Sequence, residues 1–288
     1  MAIELSTPGV GQLGEVVDAL RDWQDEAAPT QLHPGDLGWY WQHGPAAMAA
    51  ALRTWSRNGQ VLAIGFLDGP EVLRMTLAPR LRRHEELAHQ VVADASEPRQ
   101  GVLPAGKVSI ETPNDTRVQD LLTEVGWSAG EEWTPLRRDL TGSVELPEMR
   151  IEVVSAGQES EFTAVHWSAW GSPRFTDDLW RVMATGLPYI DARCLLVYDD
   201  LGVAVAGATV WSAGPGKPGL LEPVGVHADH RGHGYGRTIS MAAAAQLKEL
   251  GSSSAEVCTP SSNTAAVATY QSAGFQQLGP RLDRSRHA

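Results

Sequence analysis

The sequence predicts an α/β (α+β) protein made of two copies of one plan, in which strands alternate with helices. The pattern Ile-Glu-aliphatic occurs at residues 3–5 and again at 151–153. Gly126-Trp127 and Gly274-Phe275 form a second matched pair. The separation is 148 residues in both cases, from residue 3 to residue 151 and from residue 126 to residue 274. A constant offset at both ends is typical of a duplicated domain rather than of many short repeats.

Apolar residues at every second position predict the strands, and apolar residues three and four apart predict the helices. In the first copy the predicted strands are 3–6, 60–67, 72–77 and 107–112, and the predicted helices are 11–24, 81–94 and 116–124. In the second copy the predicted strands are 193–198, 203–211, 220–227 and 254–259, and a helix over 236–250 ends at Gly251. Segment 140–148 is polar and contains Gly and Pro, as linkers do. We therefore predict domains at 1–143 and 149–288.

Composition excludes several classes of function. The 288 residues carry a formal net charge of -12, which argues against a nucleic-acid or anionic-membrane surface because those need clustered Lys and Arg. Two cysteines far apart predict neither a disulfide framework nor a cysteine metal site. No signal-sequence pattern and no apolar run of membrane-spanning length is present. We expect a cytoplasmic monomer or homodimer that binds no nucleic acid, membrane or metal.

A glycine-rich turn lies between the predicted strand 220–227 and the predicted helix 236–250. Its glycines occupy positions 232, 234 and 236, directly after Arg231. Glycines let the backbone approach an anion closely, and the following helix adds its unpaired N–H groups and the positive end of its dipole. The turn is therefore suited to hold phosphate.

The motifs that flank this turn make the pattern specific. The order is a strand, Arg231-x-x-Gly234-x-Gly236, a helix, a strand, and a helix with Tyr270 before Gly274-Phe275. This order resembles the acyl-CoA core of the GNAT N-acyltransferase superfamily, over roughly the last seventy residues directly and by topology to about residue 149. The resemblance implies two tandem GNAT-like domains, each a mixed central sheet flanked by helices.

The resemblance also implies acetyl-CoA as the cosubstrate and a set of residues that contact it. The loop would hold the CoA pyrophosphate, a backbone N–H of the preceding strand would polarise the thioester carbonyl, and an Asn would start the helix that carries the Tyr. The N-cap role of that Asn is an alternative that is compatible with the contact. The implied residues are Val224, Gly225, Val226, Arg231, Gly232, His233, Gly234, Tyr235, Gly236, Arg237 and Asn263.

Acyl transfer to an amine also needs a base and an acid. Glu222, on the strand with the parity of Val224 and Val226, is the candidate base, and a sheet-edge carboxylate is the alternative. Pro223 removes a ladder donor, so a bulge is expected there. Tyr270 matches the family's general acid, and a core tyrosine with a satisfied hydroxyl is the alternative.

The first copy lacks the functional loop. Its corresponding segment, 80–85, contains no glycine, and Leu122 stands where the second copy has Tyr270. We therefore expect a degenerate first domain, which is either a structural partner of the second or a part of its acceptor pocket.

Other polar and aromatic residues are weaker candidates. His227, His230 and His233 lack the further ligands of a metal site, and Cys258 lacks a basic neighbour in sequence. An aromatic and acidic group in the second copy predicts either a pocket for a cationic amine or ordinary core and surface residues. Its members are Trp167, Trp170, Trp180, Tyr189, Asp177, Asp178 and Asp191.

The predicted function is an N-acetyltransferase that moves an acetyl group from acetyl-CoA to a primary amine of a small molecule by direct transfer in a ternary complex. Two alternatives stay open. A module that binds acyl-CoA without catalysis would keep the loop and lack acceptor chemistry. A tandem-GNAT aminoacyltransferase would use charged tRNA, which the acidic balance and the intact loop disfavour.

Overall fold

A computed structural model describes residues 2–27 and 31–287; residues 1, 28–30 and 288, which fall within the predicted domains, lie outside the described residues. The strands in chain order are β1 (Glu4–Ser6), β2 (Leu52–Arg57), β3 (Gln60–Leu67), β4 (Val72–Leu77), β5 (Val108–Glu111), β6 (Ser128–Asp139), β7 (Arg150–Val153), β8 (Ala192–Tyr198), β9 (Ala204–Ser212), β10 (Pro218–Val226), β11 (Ser254–Pro260), β12 (Gln276–Gln277) and β13 (Arg281–Arg286). The helices are α1 (Leu13–Trp23), α2 (Pro34–Tyr40), α3 (Gly44–Ala51), α4 (Glu85–Ser96), α5 (Arg117–Glu124), α6 (Glu159–Trp170), α7 (Asp177–Met183), α8 (Tyr235–Glu249) and α9 (Thr264–Ser272).

The first compact unit comprises Met1–His33, Pro45–Trp133 and Pro280–Ala288. Its strands follow the order β1-β2-β3-β4-β5-β13-β6, in which β4 and β5 are parallel and each of the other neighbouring pairs is antiparallel. Helices α4 and α5 cover an apolar core that includes Trp55. The Trp55 indole N–H donates to Asp94 at 2.8 Å, so its one polar atom is satisfied on burial.

The second compact unit comprises Pro34–Gly44 and Thr134–Gly279. Its strands follow the order β6-β11-β10-β9-β8-β7, with the second part of β6 at one edge and β12 paired to it. Strands β10 and β11 are parallel, whereas the pairs β7–β8, β8–β9 and β9–β10 are antiparallel. Helix α8 buries an Ala-rich face against this sheet. The unit is thus the mixed α/β arrangement that the sequence predicts.

The compact units are not contiguous in the chain, unlike the predicted domains 1–143 and 149–288. Strand β13 pairs with β5 in the first unit, where Ser109 and Ser285 are hydrogen-bonded at 2.9 Å. Pro34–Gly44 and the segment from Thr134 onward join the second unit. Tertiary packing decides which strands pair. A domain boundary drawn at one position in the sequence therefore does not show that β13 joins the first unit or that Pro34–Gly44 joins the second. The boundary between the two copies stays a prediction, because the compact units show which residues pack together and not where one repeated copy ends and the next begins.

Asp283 on β13 is buried, and it makes the stability of the first unit depend on pH. The Trp133 indole donates to its carboxylate at 2.9 Å. Burial, with a smaller contribution from Glu111, raises the pKa of Asp283 to about 6. This value lies above the ~3.9 of an unfolded aspartate. The stability that the protonated carboxyl contributes is therefore complete below about pH 4 and is lost as the pH rises through about 6.

Asp283→Asn removes this titration while keeping an oxygen that accepts from Trp133. The free energy of unfolding of the variant, minus that of the wild type, is expected to rise between pH 4 and pH 7. The rise should be on the order of 1–2 kcal/mol after allowance for solvent screening. Urea unfolding across this pH range measures it, and Asp200→Asn in the exposed turn after β8 is the control. Parallel stability curves for Asp283→Asn and the wild type would contradict the prediction.

Candidate active site

One cavity of about 590 Å³ in the second unit lies where β10 and β11 separate. The paired residues of these two strands end at Leu220 and Glu256. Beyond that point the strands diverge, and the start of α8, one face of α9 and the end of α6 form the other walls. The lining residues are Ala169, Trp170, Val224, Gly225, Val226, Arg231, Gly232, Gly234, Tyr235, Gly236, Arg237, Ser240, Asn263, Ala265, Ala266, Thr269, Tyr270 and Ser272.

The glycine-rich loop forms one end of the cavity. Gly232 and Gly234 both have φ of +83°, and a Cβ on either would meet nothing within 4 Å. Their conformation, not crowding, therefore requires glycine. Gly234 directly precedes α8, a helix of 15 residues, so unpaired N–H groups and the helix dipole face the loop. The chemistry of this end suits an anion such as a pyrophosphate.

Two arginines of the loop are held in place by backbone carbonyls. Arg231 donates to the carbonyl of Ala169 at 2.7 Å, and Arg237 donates to the carbonyl of Ser272 at 2.9 Å. Both arginines line the cavity, and these hydrogen bonds hold their guanidinium groups in place. His233 is not among the lining residues; its Nδ1 lies 2.9 Å from the Arg231 carbonyl, and its ring stacks on Tyr235.

Strand β10 is irregular where the sequence places Pro223. Leu221 is opposite Val210 of β9 and Val224 is opposite Ala208, so three steps on β10 match two on β9. This is the bulge that the proline predicts. The extra residue interrupts the alternation, so the parity expected between Glu222 and Val224 does not hold across it. Glu222 itself is not among the residues that line the cavity.

Gly225 is required by a neighbouring helix. A Cβ on Gly225 would lie 2.5 Å from a ring atom of Trp170 and 2.7 Å from the Cβ of Ala169. Gly225, which the family resemblance places among the residues that contact the cosubstrate, lines the cavity and at the same time lies against the end of α6. Side-chain volume here would push α6 off the strand.

Tyr270 on α9 lies in the cavity wall with only 9% of its surface exposed. Burial chiefly, and then the nearby Glu222 and Cys258, raise the pKa of Tyr270 above its usual range. Its hydroxyl therefore stays protonated and able to donate across the neutral range. Asn263 lines the same cavity and caps α9, accepting from the Ala266 N–H at 3.2 Å.

The aromatic and acidic group predicted in this half does not form one pocket. Trp170 lines the cavity and Trp167, which is 54% exposed, lines a separate one with Asp177 and Asp178. Trp180 and Tyr189 contact each other in the core. Ala169 also lines the cavity and was not predicted as a site residue. Apolar periodicity indicates that Ala169 and Trp170 lie on one helix, but it does not indicate that the end of this helix contacts β10.

No helix among the described residues is long and apolar enough to cross a membrane. Within the same part of the chain, no group of three His, Cys, Asp or Glu side chains is arranged to hold a metal ion. His227 and His230 contact each other edge to face at 5.3 Å.

Comparison with known proteins assigns this half of the chain to a family. Residues 160–275 match the model of the Acetyltransferase (GNAT) family. These residues include all but the first residue of α6, together with the bulged strand, the glycine-rich loop and Tyr270. This part of the chain is therefore a domain of the GNAT family, as the motifs predict. A sequence search of curated proteins finds none that matches the chain.

Solved structures extend the likeness to the whole chain at the level of the fold. A GCN5-related N-acetyltransferase from Sphaerobacter thermophilus is 18% identical with a TM-score of 0.60, over 99% of this chain and 95% of that one. A tandem GNAT protein from the clavulanic acid biosynthesis pathway is 14% identical with a TM-score of 0.63, over 99% and 98%. A GNAT-family acetyltransferase from Colwellia psychrerythraea is 14% identical with a TM-score of 0.63, over the full length of both chains. The chain has a tandem GNAT fold.

Proposed function

We propose that the protein is an N-acetyltransferase that transfers an acetyl group from acetyl-CoA directly to a primary amine of a small molecule. The observation that carries the proposal is that the glycine-rich loop, the diverging strand and a protonated Tyr270 line one cavity. A CoA thioester needs an anion site for its pyrophosphate and a proton donor for the departing thiolate, and residues suited to both roles line this cavity.

The loop would bind the CoA pyrophosphate. Its N–H groups and the N-terminus of α8 supply donors, while Arg231 and Arg237 supply positive charge. Gly232, Gly234 and Gly236 keep the backbone accessible, His233 and Tyr235 hold the shape of the loop, and Asn263 contacts the cofactor from α9. Val224 and Val226 would hold the pantetheine arm through their backbone, with Gly225 keeping the strand close to α6.

The transfer forms a C–N bond and breaks the C–S bond. The amine nitrogen attacks the thioester carbon, and a backbone N–H of the strand after the bulge stabilises the developing oxyanion. Glu222, acting through a water molecule because it lies outside the cavity lining, takes the proton that the amine loses. The Tyr270 hydroxyl protonates the departing CoA thiolate. Each proton thus has a named acceptor or donor.

The first half of the chain would not catalyse this reaction. Segment 80–85 has no glycine, and two of its three arginines have partners within the first unit: Arg82 donates to the Asn114 carbonyl and Arg83 pairs with Asp120. We propose that residues 1–143 form a degenerate GNAT-like copy and that residues 149–288 form the catalytic domain. A cytoplasmic location and a monomer or homodimer stay predictions.

An acetyl-CoA consumption assay against polyamines, aminoglycosides, amino acids and small aminothiols tests the function. Amine-dependent release of free CoA thiol, with an acetylated amine seen by mass spectrometry, would support direct transfer. Tight acetyl-CoA binding with no turnover for any amine would favour a non-catalytic binding module instead. Acyl transfer only with charged tRNA would favour the aminoacyltransferase.

Glu222→Gln tests the proposed base. The variant is expected to lower kcat roughly 10²- to 10⁴-fold near neutral pH, because an amide takes no proton. It should also flatten the acidic limb of the pH profile of kcat/KM while leaving acetyl-CoA affinity unchanged by calorimetry. Glu249→Gln, at the exposed end of α8, is the control. An unaltered kcat in Glu222→Gln would mean that Glu222 is not the base and is only a carboxylate at the edge of the sheet.

A further inference from the structure

Helix α2 comes from early in the chain and packs against β9 in the second unit. Its two glycines face the indole of Trp211. A Cβ on Gly35 would lie 2.5 Å from the ring carbon Cγ, and a Cβ on Gly38 would lie 2.3 Å from Cζ3. No larger side chain fits at either position unless the indole moves. The helix and the ring are therefore matched in shape.

The other edge of the same indole reaches the bulge of β10. The Trp211 Nε1–H donates to the backbone carbonyl of Glu222 at 2.6 Å. A bulge leaves backbone groups without a ladder partner, so this bond fixes a peptide that the neighbouring strands do not hold. That peptide lies between the proposed base and the strand that would hold the thioester. Trp211 is 1% exposed and so contacts no substrate.

A second contact links α2 to the same strand. Trp39 stacks on His166 at 5.3 Å between ring centroids, and His166 stacks on Trp170 at 4.3 Å. Trp170 in turn covers Gly225. Burial lowers the pKa of His166 to about 4, so the stack carries no charge at neutral pH. Helix α2 is thus connected to β10 before Val224, through Trp211 and the Glu222 carbonyl, and after Val224, through the stacked rings and Gly225.

We propose that Trp211 is a positioning residue for the transfer reaction, and that helix α2 holds its indole in place. The inference rests on the proposed function, because it gives Trp211 its role through Glu222. By holding the Glu222 carbonyl, the indole sets the direction of the Glu222 side chain and of the strand N–H groups that follow. A segment from the first half of the chain is thereby required for the chemistry of the second half.

Trp211→Phe is the most direct test, since phenylalanine removes the N–H donor and keeps an aromatic ring at this position, although its smaller ring also gives up part of the packing against Gly38. It should lower kcat roughly 10- to 100-fold, as expected when a reacting group is displaced by about 1 Å. The acidic limb of the pH profile of kcat/KM should also move, because the environment of the base changes. Acetyl-CoA affinity, measured by calorimetry, should stay within about twofold of the wild type, since the loop is untouched.

Gly38→Ala approaches the same contact from the other side. It keeps the indole N–H but forces the ring to shift, and so it should reproduce the fall in kcat and the altered pH profile. Gly14→Ala is the matched control, because Gly14 also lies in a helix, α1, and a Cβ there meets nothing within 4 Å. This control is expected to keep the kcat and pH profile of the wild type.

Four outcomes separate the possibilities. A fall in kcat with a shifted pH profile and unchanged affinity supports the positioning role. A Trp211→Phe variant that keeps both kcat and pH profile overturns it, and so does one that no longer binds acetyl-CoA, because the role is then only structural. A wild type that binds acetyl-CoA but acetylates no amine overturns the proposed function, and the role of Trp211 with it.

Discussion

Replacing Gly234 by valine is expected to weaken acetyl-CoA binding by about 100-fold or more. A β-branched residue at φ of +83° is strained by roughly 1–2 kcal/mol or more, so the backbone would turn to a more favourable conformation. That turn moves the N–H groups at the start of α8 away from the phosphates, which removes several charge-assisted hydrogen bonds together. Calorimetry with acetyl-CoA measures the loss.

Gly216→Val is the matched control for backbone strain. Gly216 also has a positive φ, of +71°, and open space around its Cβ position, but it lies outside the cavity. Both variants should therefore lose thermal stability, whereas only Gly234→Val should lose affinity. If Gly234→Val binds acetyl-CoA as tightly as Gly216→Val does, the loop is not a pyrophosphate site.

Tyr270→Phe is expected to lower kcat roughly 10²- to 10⁴-fold while changing acetyl-CoA affinity little. The hydroxyl is the proposed source of the proton for the CoA thiolate, and its raised pKa keeps that proton in place at neutral pH. The ring, which packs near Phe275 at 5.9 Å, remains in the variant. Steady-state kinetics with the best amine of the panel, together with calorimetry, separates turnover from binding.

Tyr198→Phe controls for the loss of a buried tyrosine hydroxyl in the same unit. The Tyr198 hydroxyl donates to Glu161 at 2.7 Å, and the residue does not line the cavity. Its removal should cost about 1 kcal/mol of stability and leave kcat unchanged. Equal kcat values for Tyr270→Phe and Tyr198→Phe would remove Tyr270 from the mechanism. In that case the CoA thiolate would leave without receiving a proton from the protein.

Local patterns were sufficient to predict most of the regular elements. Strands β3 and β4 have the predicted bounds, and α8 differs by one residue at each end, because apolar periodicity and a helix-ending glycine are local signals. The segment from residue 34 to residue 57 was not predicted to hold α2, α3 and β2. It contains five glycines and prolines, which are Pro34, Gly35, Gly38, Gly44 and Pro45, and these residues weaken the apolar periodicity of both helices and strands.

The sequence by itself determined the mixed α/β class, the family of residues 160–275 and the loop with its three glycines, because a strand, an Arg-x-x-Gly-x-Gly turn and a Tyr-bearing helix are contiguous patterns. Tertiary structure alone decided that β13 completes the first unit, that the end of α6 fills the space beside Gly225, and that α2 reaches Trp211 and the bulge at Glu222. Those contacts join residues up to about 180 positions apart, and shape complementarity between distant side chains leaves no periodic trace in a sequence.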